Sequence, residues 1–236
     1  MLGKITILSE TTKNPVSLIG ERAGICWGAD ISNAKKNYKR GIDCIESNHG
    51  RTLEFPEVHM ILDGYSAKCL REYYTHIGCL PSRLQASTRY IDYSKGIGTN
   101  GGFEYVTPHT IKNNEKALAE WEQAMKYVND LINLLINTYK IPIEDATMAL
   151  PISYSSKMVD KRNLRNLIDM SRNRMCSRAY WEFRELFNDI CTALSSYSDE
   201  WKYIIDTQMK PKCEILGYCP EKKSCGRKPK VSNEKD

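Results

Sequence analysis

The sequence contains no long hydrophobic run, and no stretch approaches the roughly 18 consecutive apolar residues that a membrane-spanning helix needs. The N-terminus, Met-Leu-Gly-Lys-Ile-Thr-Ile-Leu, is typical of a strand and has no signal-peptide pattern. The nine cysteines are scattered and include no Cys-x-x-Cys pair. These absences predict a protein that has no membrane partner, keeps its thiols reduced and is located in the cytoplasm.

A strong excess of charge of one sign is also missing. The chain has 34 Lys and Arg residues against 29 Asp and Glu residues, and its formal net charge is only +5. Nucleic-acid binders usually carry a concentrated basic face, so we expect no nucleic-acid partner, and a site for a small anion fits better. With 236 residues and no internal repeat, we expect one domain over 1–225 and a Lys- and Pro-rich disordered tail over 226–236.

Hydrophobic periodicity predicts a mixture of helices and strands. The clearest element is a long helix at about 113–139, where apolar residues recur every three or four positions from Leu118 to Leu135. Strands are predicted at 4–9, 58–62, 83–93 and 152–159, and further helices at 15–27, 31–48, 66–74, 142–149, 163–174 and 179–195. Because these elements lack regular βαβ spacing, we expect an α+β fold, a single mixed domain with a central antiparallel sheet flanked by helices.

Polar side chains crowd the segment Arg83-Leu-Gln-Ala-Ser-Thr-Arg-Tyr90. If the segment is a strand, its period of two places Arg83, Gln85, Ser87 and Arg89 on one face. Guanidinium, amide and hydroxyl groups together suit the oxygens of a phosphate. A solvated edge strand would show the same pattern, so both interpretations stay open at this point.

A second polar cluster lies on the helix predicted at 163–174. Asn163, Leu167, Met170 and Arg174 fall on one face, so an apolar stripe has a polar group at each end. Such a face suits a partly polar contact, for example with an aromatic heterocycle. Arg165 and Asp169 are spaced as an i,i+4 pair, which is more often an ordinary ion pair on a solvated helix.

Two further segments contain residues that can be read as functional motifs. His49-Gly-Arg51-Thr-Leu-Glu54 lies in a loop before a strand, where residues are either functional or simple turn and surface groups. Gly96-Ile-Gly98-Thr-Asn-Gly101 matches the dinucleotide-binding pattern G-x-G-x-x-G, but a strand-like segment ending in proline follows it. Because that motif requires a helix N-terminus directly afterwards, we interpret the segment as a loop.

These clusters, in this order, resemble the flavin-dependent thymidylate synthases. The family signature is R-H-R, a spacer, and S-x-N-E-Q-S-x-R-Y. This sequence keeps the closing Ser87-Thr88-Arg89-Tyr90, and His76 stands for the central histidine, flanked by Thr75 and Ile77 instead of arginines. The similarity continues through Leu150-Pro151, Asn163-Leu-Arg165 and the segment from Arg174 to Arg184, which indicates a divergent branch of the family.

The resemblance implies a reaction and a set of binding residues. dUMP would be methylated with a one-carbon unit from methylenetetrahydrofolate, with FAD as the hydride carrier and NADPH as the source of reducing equivalents. Arg174 would be the catalytic residue beside the uracil ring. The implied dUMP-binding residues are Glu72, Arg83, Gln85, Ser87, Thr88, Arg89 and Arg174. The implied FAD contacts are His49, Arg51, Glu54, His76, Asn163, Arg165 and Asp169.

The resemblance also implies a homotetramer whose sites combine several subunits. Thr147 stands where many members have a phosphate-binding arginine, and Arg83 or Lys157 could compensate for it. Two alternatives remain open, namely a pyrimidine nucleotide hydroxymethylase and a non-catalytic nucleotide-binding homologue. Cys213, Cys219 and Cys225 have longer separations than most zinc ligands, so we expect no metal.

Overall fold

A four-stranded antiparallel sheet forms the centre of the protein. The structure is a computed structural model that describes residues 3–95, 97 and 102–230. The strands are β1 (Lys4–Ile7), β2 (Glu57–Ser66), β3 (Ser82–Gln85) and β4 (Ser155–Asn163), in the order β1-β2-β4-β3. Every neighbouring pair is antiparallel, which confirms the predicted α+β class.

Ten α-helices lie within the described residues, together with short 3₁₀ and π segments. They are α1 (Pro15–Cys26), α2 (Ala34–Glu46), α3 (Ala67–Tyr74), α4 (His109–Lys112), α5 (Glu115–Asn133), α6 (Ile143–Ala146), α7 (Leu164–Arg174), α8 (Trp181–Tyr197), α9 (Asp199–Gln208) and α10 (Lys212–Leu216). A π segment, Leu134–Thr138, continues α5, so the long helix predicted at about 113–139 is confirmed. The Asn114 side chain accepts from the Ala117 N–H and caps its start.

The two faces of the sheet have different surroundings. Along β4, and along β2 as far as Leu62, every second side chain is buried, as the two-residue period of a half-covered strand requires. The buried side chains, among them Met60, Leu62 and Met158, join a core with Phe183, Phe187 and other residues of the helices. On the opposite face a row runs from Ile61 through Val159 to Leu84, and Leu84 is 76% exposed. One face of the sheet is therefore open in the single chain.

Two strand predictions need correction. The strand predicted at 83–93 ends at Gln85, because the Ser87 hydroxyl accepts from the Arg89 N–H and the Ser87 carbonyl accepts from Tyr90 and Ile91. Such local hydrogen bonds favour a turn over a strand. The strand predicted at 152–159 lies instead at Ser155–Asn163, following a turn in which the Tyr154 N–H donates to the Pro151 carbonyl.

The C-terminal part has more order than the sequence suggested. Helices α9 and α10 were not predicted. Residues 226–230 fall in the expected disordered tail, yet the Cys219 N–H donates to the Pro229 carbonyl at 2.7 Å, and Lys228 pairs with Glu214. Residues 231–236 lie outside the described residues, as do Gly96, Gly98 and Gly101 of the predicted glycine loop. No helix in the described ranges is long and apolar enough to cross a bilayer.

Candidate active site

Arg174, in the last turn of α7, is held between side chains from two other helical segments. Its Nε donates to Nε2 of His76 at 2.8 Å, and its Nη1 lies 3.2 Å from Oε2 of Glu72. The guanidinium carbon lies 4.6 Å from the centre of the Phe183 ring. With 23% of its side chain exposed, Arg174 is a fixed cation at the surface of the core. The structure thus brings together three predicted site residues, Arg174, Glu72 and His76.

His76 has an unusual electrostatic environment. Burial, followed by the positive charges of Arg174, Arg162 and Arg83, lowers the pKa of His76 from 6.5 to about 4. The imidazole is therefore neutral near pH 7 and can accept the Arg174 hydrogen bond. Its ring also packs edge-on against Phe183, with the ring centres 5.7 Å apart.

A buried ion pair lies beneath this group and was not predicted. Nε and Nη2 of Arg162 donate to the two carboxylate oxygens of Asp160 at 2.6 and 2.7 Å, and both side chains are fully buried. The Tyr73 hydroxyl donates to the same carboxylate at 2.9 Å. Arg162 also donates to Asn166, whose amide donates to the Gly78 carbonyl. The network therefore links β4, α3 and α7 directly below His76 and Arg174.

A sequence signal for this network did exist. Asp160 and Arg162 share the strand phase of Ser156 and Met158, which are buried on the core side of β4. Two ionisable residues in the buried phase of a strand require a partner, because an unpaired buried charge is costly. The strand was predicted to end at Val159, so both residues were placed outside it.

Arg83 and Gln85 reach the same region from β3. Nη1 of Arg83 donates to the Tyr74 carbonyl at 2.7 Å, and the guanidinium lies 4.4 Å from the centre of the Tyr74 ring. The Gln85 amide donates to the Ser156 hydroxyl at 3.2 Å. Both side chains thus lie on the core side of the sheet, at the edge close to His76.

Ser87, Thr88 and Arg89 do not continue that face, because the strand has already ended. Arg89 pairs with Glu144 at 2.8 Å, and 65% of its side chain is exposed. The Thr88 carbonyl accepts from the hydroxyl of Thr147, which is buried. Within the described residues no contact joins this turn to the Arg174 group. The idea that the four polar residues from Arg83 to Arg89 share one strand face is therefore wrong.

Most of the predicted flavin contacts gather at a second place, on the outer side of α7. Arg165 pairs with Glu54 at 2.6 Å, and Arg51 approaches the same carboxylate at 3.5 Å. The two arginines belong to the wall of a cavity of about 290 Å³, which is lined by Asn48, Gly50, Arg51, Leu53, Arg165, Ile168, Asp169 and Arg172. His49 lies between the lining residues Asn48 and Gly50, and its carbonyl oxygen accepts a hydrogen bond from the Thr52 hydroxyl. The expected Arg165–Asp169 ion pair does not form, because Glu54 takes Arg165 and Asp169 faces Arg172 at 3.8 Å.

Asn163 and the apolar stripe of α7 have structural roles. The Asn163 side chain accepts from the Asn166 N–H and caps α7. Leu167 and Met170 are fully buried in the core of the chain itself. The hypothesis that this stripe contacts a heterocycle is therefore wrong for its two central residues.

The cysteines form no covalent or metal cluster in the described chain. All nine are free, and five of them are buried within the core or under the C-terminal segment, namely Cys44, Cys69, Cys191, Cys213 and Cys219. Among residues 3–95, 97 and 102–230, no three His, Cys, Asp or Glu side chains are grouped so that they could hold a metal ion.

Comparison with known proteins identifies the family. The family model described as "Thymidylate synthase complementing protein" matches residues 7–197. A flavin-dependent thymidylate synthase from Nitratidesulfovibrio vulgaris is 31% identical over 215 residues, covering 86% of this chain and 82% of the relative. The chain belongs to the flavin-dependent thymidylate synthase family. A flavin-dependent thymidylate synthase from Geobacter sulfurreducens is 27% identical over an alignment that covers 97% of this chain and 96% of the relative.

Solved structures share the fold of this family member. ThyX from Helicobacter pylori, crystallised with FAD and dUMP, gives a TM-score of 0.69 at 21% identity and covers 88% of this chain and 100% of that one. The UMP/dUMP methylase PolB from Streptomyces cacaoi, bound to 5-Br dUMP, gives 0.68 at 14% identity, covering 88% and 96%. At these identities the similarity establishes the fold.

Proposed function

We propose that this protein catalyses the reductive methylation of dUMP to dTMP, with methylenetetrahydrofolate as carbon donor, FAD as cofactor and NADPH as reductant. The proposal is supported by membership of the flavin-dependent thymidylate synthase family. The observation that carries it is the fixed guanidinium of Arg174, oriented by Glu72 and His76.

Arg174 has the properties that the reaction needs beside the pyrimidine. Methylation at carbon 5 places negative charge on the ring oxygens, and a positioned cation stabilises that charge without having to reorganise. Nη1 of Arg174 donates to Glu72 and Nε donates to the neutral His76, while Nη2 of Arg174 has no protein partner among the described residues. The Nη2 group of Arg174, which carries two N–H donors, therefore remains for the substrate.

The groups around Glu54 fit part of the cofactor. FAD would supply the hydride when bound. Arg51, Arg165 and Arg172 beside the 290 Å³ cavity are suitable partners for phosphate oxygens, because guanidinium groups bind such oxygens with paired hydrogen bonds. Glu54 would orient Arg165, and Asp169 would orient Arg172.

A homotetramer would complete the site. The Ser87–Arg89 turn is exposed and separate from Arg174 in one chain, so the proposed phosphate contacts of Ser87, Thr88 and Arg89 would serve an adjoining subunit's nucleotide. Large apolar side chains near this region are exposed, as an uncovered interface would be: Ile77, Leu80, Leu84, Tyr90 and Met148. The free thiols are compatible with a reducing compartment, and we propose the cytoplasm.

The test is formation of dTMP by the purified protein from dUMP, methylenetetrahydrofolate and NADPH, measured by chromatography, together with the absorbance band of bound flavin. Arg174→Ala should lower kcat by at least about tenfold while flavin stays bound, since lost electrostatic stabilisation acts on the transition state. Arg89→Ala should chiefly raise the KM for dUMP.

Arg71→Ala is the matched control, because Arg71 is exposed on the same helix as Glu72. Its kinetics should equal those of the unchanged protein. If the product were the 5-hydroxymethyl nucleotide instead of dTMP, the hydroxymethylase alternative would be correct and our proposal of methylation would be wrong. A protein that binds dUMP but neither takes up FAD nor turns over would be a non-catalytic homologue, and our proposal would then be wrong.

A further inference from the structure

A second basic cavity lies at the C-terminal end of α7, on the side formed by the C-terminal segment. Its volume is about 260 Å³. Arg172, Arg174 and Arg178 line it from α7 and the following loop, and Lys212, Arg227 and Lys228 line it from the segment 211–228. The family model ends at residue 197, so half of these cations come from beyond the matched range.

The cavity carries an excess of positive charge. Six cations line the cavity. Three of them pair with the carboxylates of Glu72, Asp169 and Glu214, and a fourth carboxylate, that of Glu221, lies in the cavity wall. Two positive charges therefore remain without a matching negative charge. Arg178 donates to the Lys223 carbonyl, which carries no full charge. Among the described residues, the side chains of Lys212 and Arg227 make no hydrogen bond or ion pair with a carboxylate. A hydrogen bond with Ser177, followed by the backbone N–H and the charge of Arg227, lowers the pKa of the Cys225 thiol. Such a concentration of cations in a concave site attracts an anion.

The helix dipole does not account for this arrangement. Cations in the last turn of a helix are favourable, and that effect explains Arg172 and Arg174. It does not explain Arg178, Lys212 or Arg227, which belong to other segments. In addition, Nε of Arg172, a residue that lines both this cavity and the 290 Å³ cavity, is buried without a hydrogen-bond partner, and an unsatisfied buried donor is costly unless a ligand or water accepts from it.

The cysteines on the wall suggest a competing occupant. Cys176, Cys213, Cys219 and Cys225 all line the cavity, and thiolates bound to a metal would also balance nearby cations. In the described chain, however, no three of the potential ligands are grouped for metal binding. The geometry therefore favours an anion.

We propose that this cavity binds a dianionic group, either a phosphate monoester or the paired carboxylates of a glutamate. The source of the dianion rests on the proposed function, because NADPH carries a 2′-phosphate and the folate donor carries a glutamate. Arg174 lines both this cavity and the candidate active site, so a dianion held here would place a co-substrate beside the nucleotide. Lys212 and Arg227 are the specificity-determining residues of this second site.

The first test uses inorganic phosphate and requires no turnover, so it is independent of the proposed function. Calorimetric titration of the full chain, with dUMP present to fill the substrate site, compares the unchanged protein with Lys212→Ala/Arg227→Ala. We expect at least about tenfold weaker phosphate binding in the double variant, since each lost contact is a charge-assisted one. Lys35→Ala, an exposed lysine on α2, is the control and should bind normally. Equal binding by all three proteins would overturn the proposal.

The second test identifies the source. If the site holds the 2′-phosphate, the double variant should lose about tenfold of its preference for NADPH over NADH while its KM for folate is unchanged. If it holds glutamate carboxylates, the KM for the folate donor should rise about tenfold and the NADPH preference should stay. Should neither change, the assignment to a co-substrate is wrong. One equivalent of zinc per chain, lost in Cys219→Ser, would overturn the anion site itself.

Discussion

Removal of the Asp160 carboxylate should destabilise the protein strongly. Asp160 and Arg162 are fully buried and joined by hydrogen bonds of 2.6 and 2.7 Å, and Tyr73 donates to the same carboxylate. Loss of one member of a buried pair costs about 3–5 kcal/mol, because the other charge remains buried without compensation. We expect Asp160→Ala to lower the free energy of unfolding by that amount. For a chain of this size the corresponding fall in Tm is about 6–20 °C.

The assay is urea unfolding followed by circular dichroism, with Lys161→Ala as the matched control. Lys161 is the next residue of β4 but lies on the open face, where it pairs with Glu57 at 2.8 Å and both side chains are about 40% exposed. An exposed pair contributes about 0–1 kcal/mol. If Asp160→Ala were no more costly than Lys161→Ala, our view of a buried, charge-compensating network would be refuted.

Three other predictions concern separate parts of the molecule. In Arg174→Ala, the pKa of His76 should rise from about 4 towards 6.5, which NMR can follow with His109 as internal control, and an unmoved pKa would contradict the assigned causes. Because the pKa of His76 is lower in the folded than in the unfolded protein, His76 makes the unchanged protein less stable as the pH falls from 6.5 towards 4. Ser66→Ala removes the cap of α3 and a hydrogen bond to buried Glu182, so the free energy of unfolding should fall by about 1–3 kcal/mol in urea titrations, whereas exposed Ser32→Ala should change it little. Leu84→Asp should reduce the assembled mass in analytical ultracentrifugation if the open sheet face is an interface, and an unchanged mass would exclude Leu84 from it.

The elements with a strong local pattern could be predicted from the sequence. The helix beginning at Glu115 follows an asparagine cap and has a continuous apolar stripe, so local propensity and packing agree. Helix α7 likewise begins after the cap residue Asn163. The family resemblance placed both Glu72 and Arg174 among the dUMP-binding residues, but their mutual contact was not predicted, since a separation of about a hundred residues has no local signature.

Other features depended on contacts that the sequence pattern does not encode. The segment after Gln85 keeps residues compatible with a strand, and β4 extends past Met158 to Ser155 on that side. Hydrogen bonds at Ser87 nevertheless turn the chain away from it after the Ala86 N–H has donated to the Lys157 carbonyl. Glu54 lies on a distant segment and takes Arg165 from its expected i,i+4 partner. The buried carboxylate of Glu182, bonded to Ser66 and Tyr180, resembles an ordinary first-turn acid in the sequence.

Ser66 ends β2, caps α3 and binds Glu182 of α8 through both its N–H and its hydroxyl, at 2.6 Å each. Helices α3 and α8 are thereby clamped at one residue. Glu72 belongs to the first of these helices and Phe183 to the second, and they are two of the side chains that flank Arg174. Because the two helices are joined in this way, a displacement of one would move the other with it. The Glu72 carboxylate and the Phe183 ring therefore keep a fixed separation on either side of the Arg174 guanidinium.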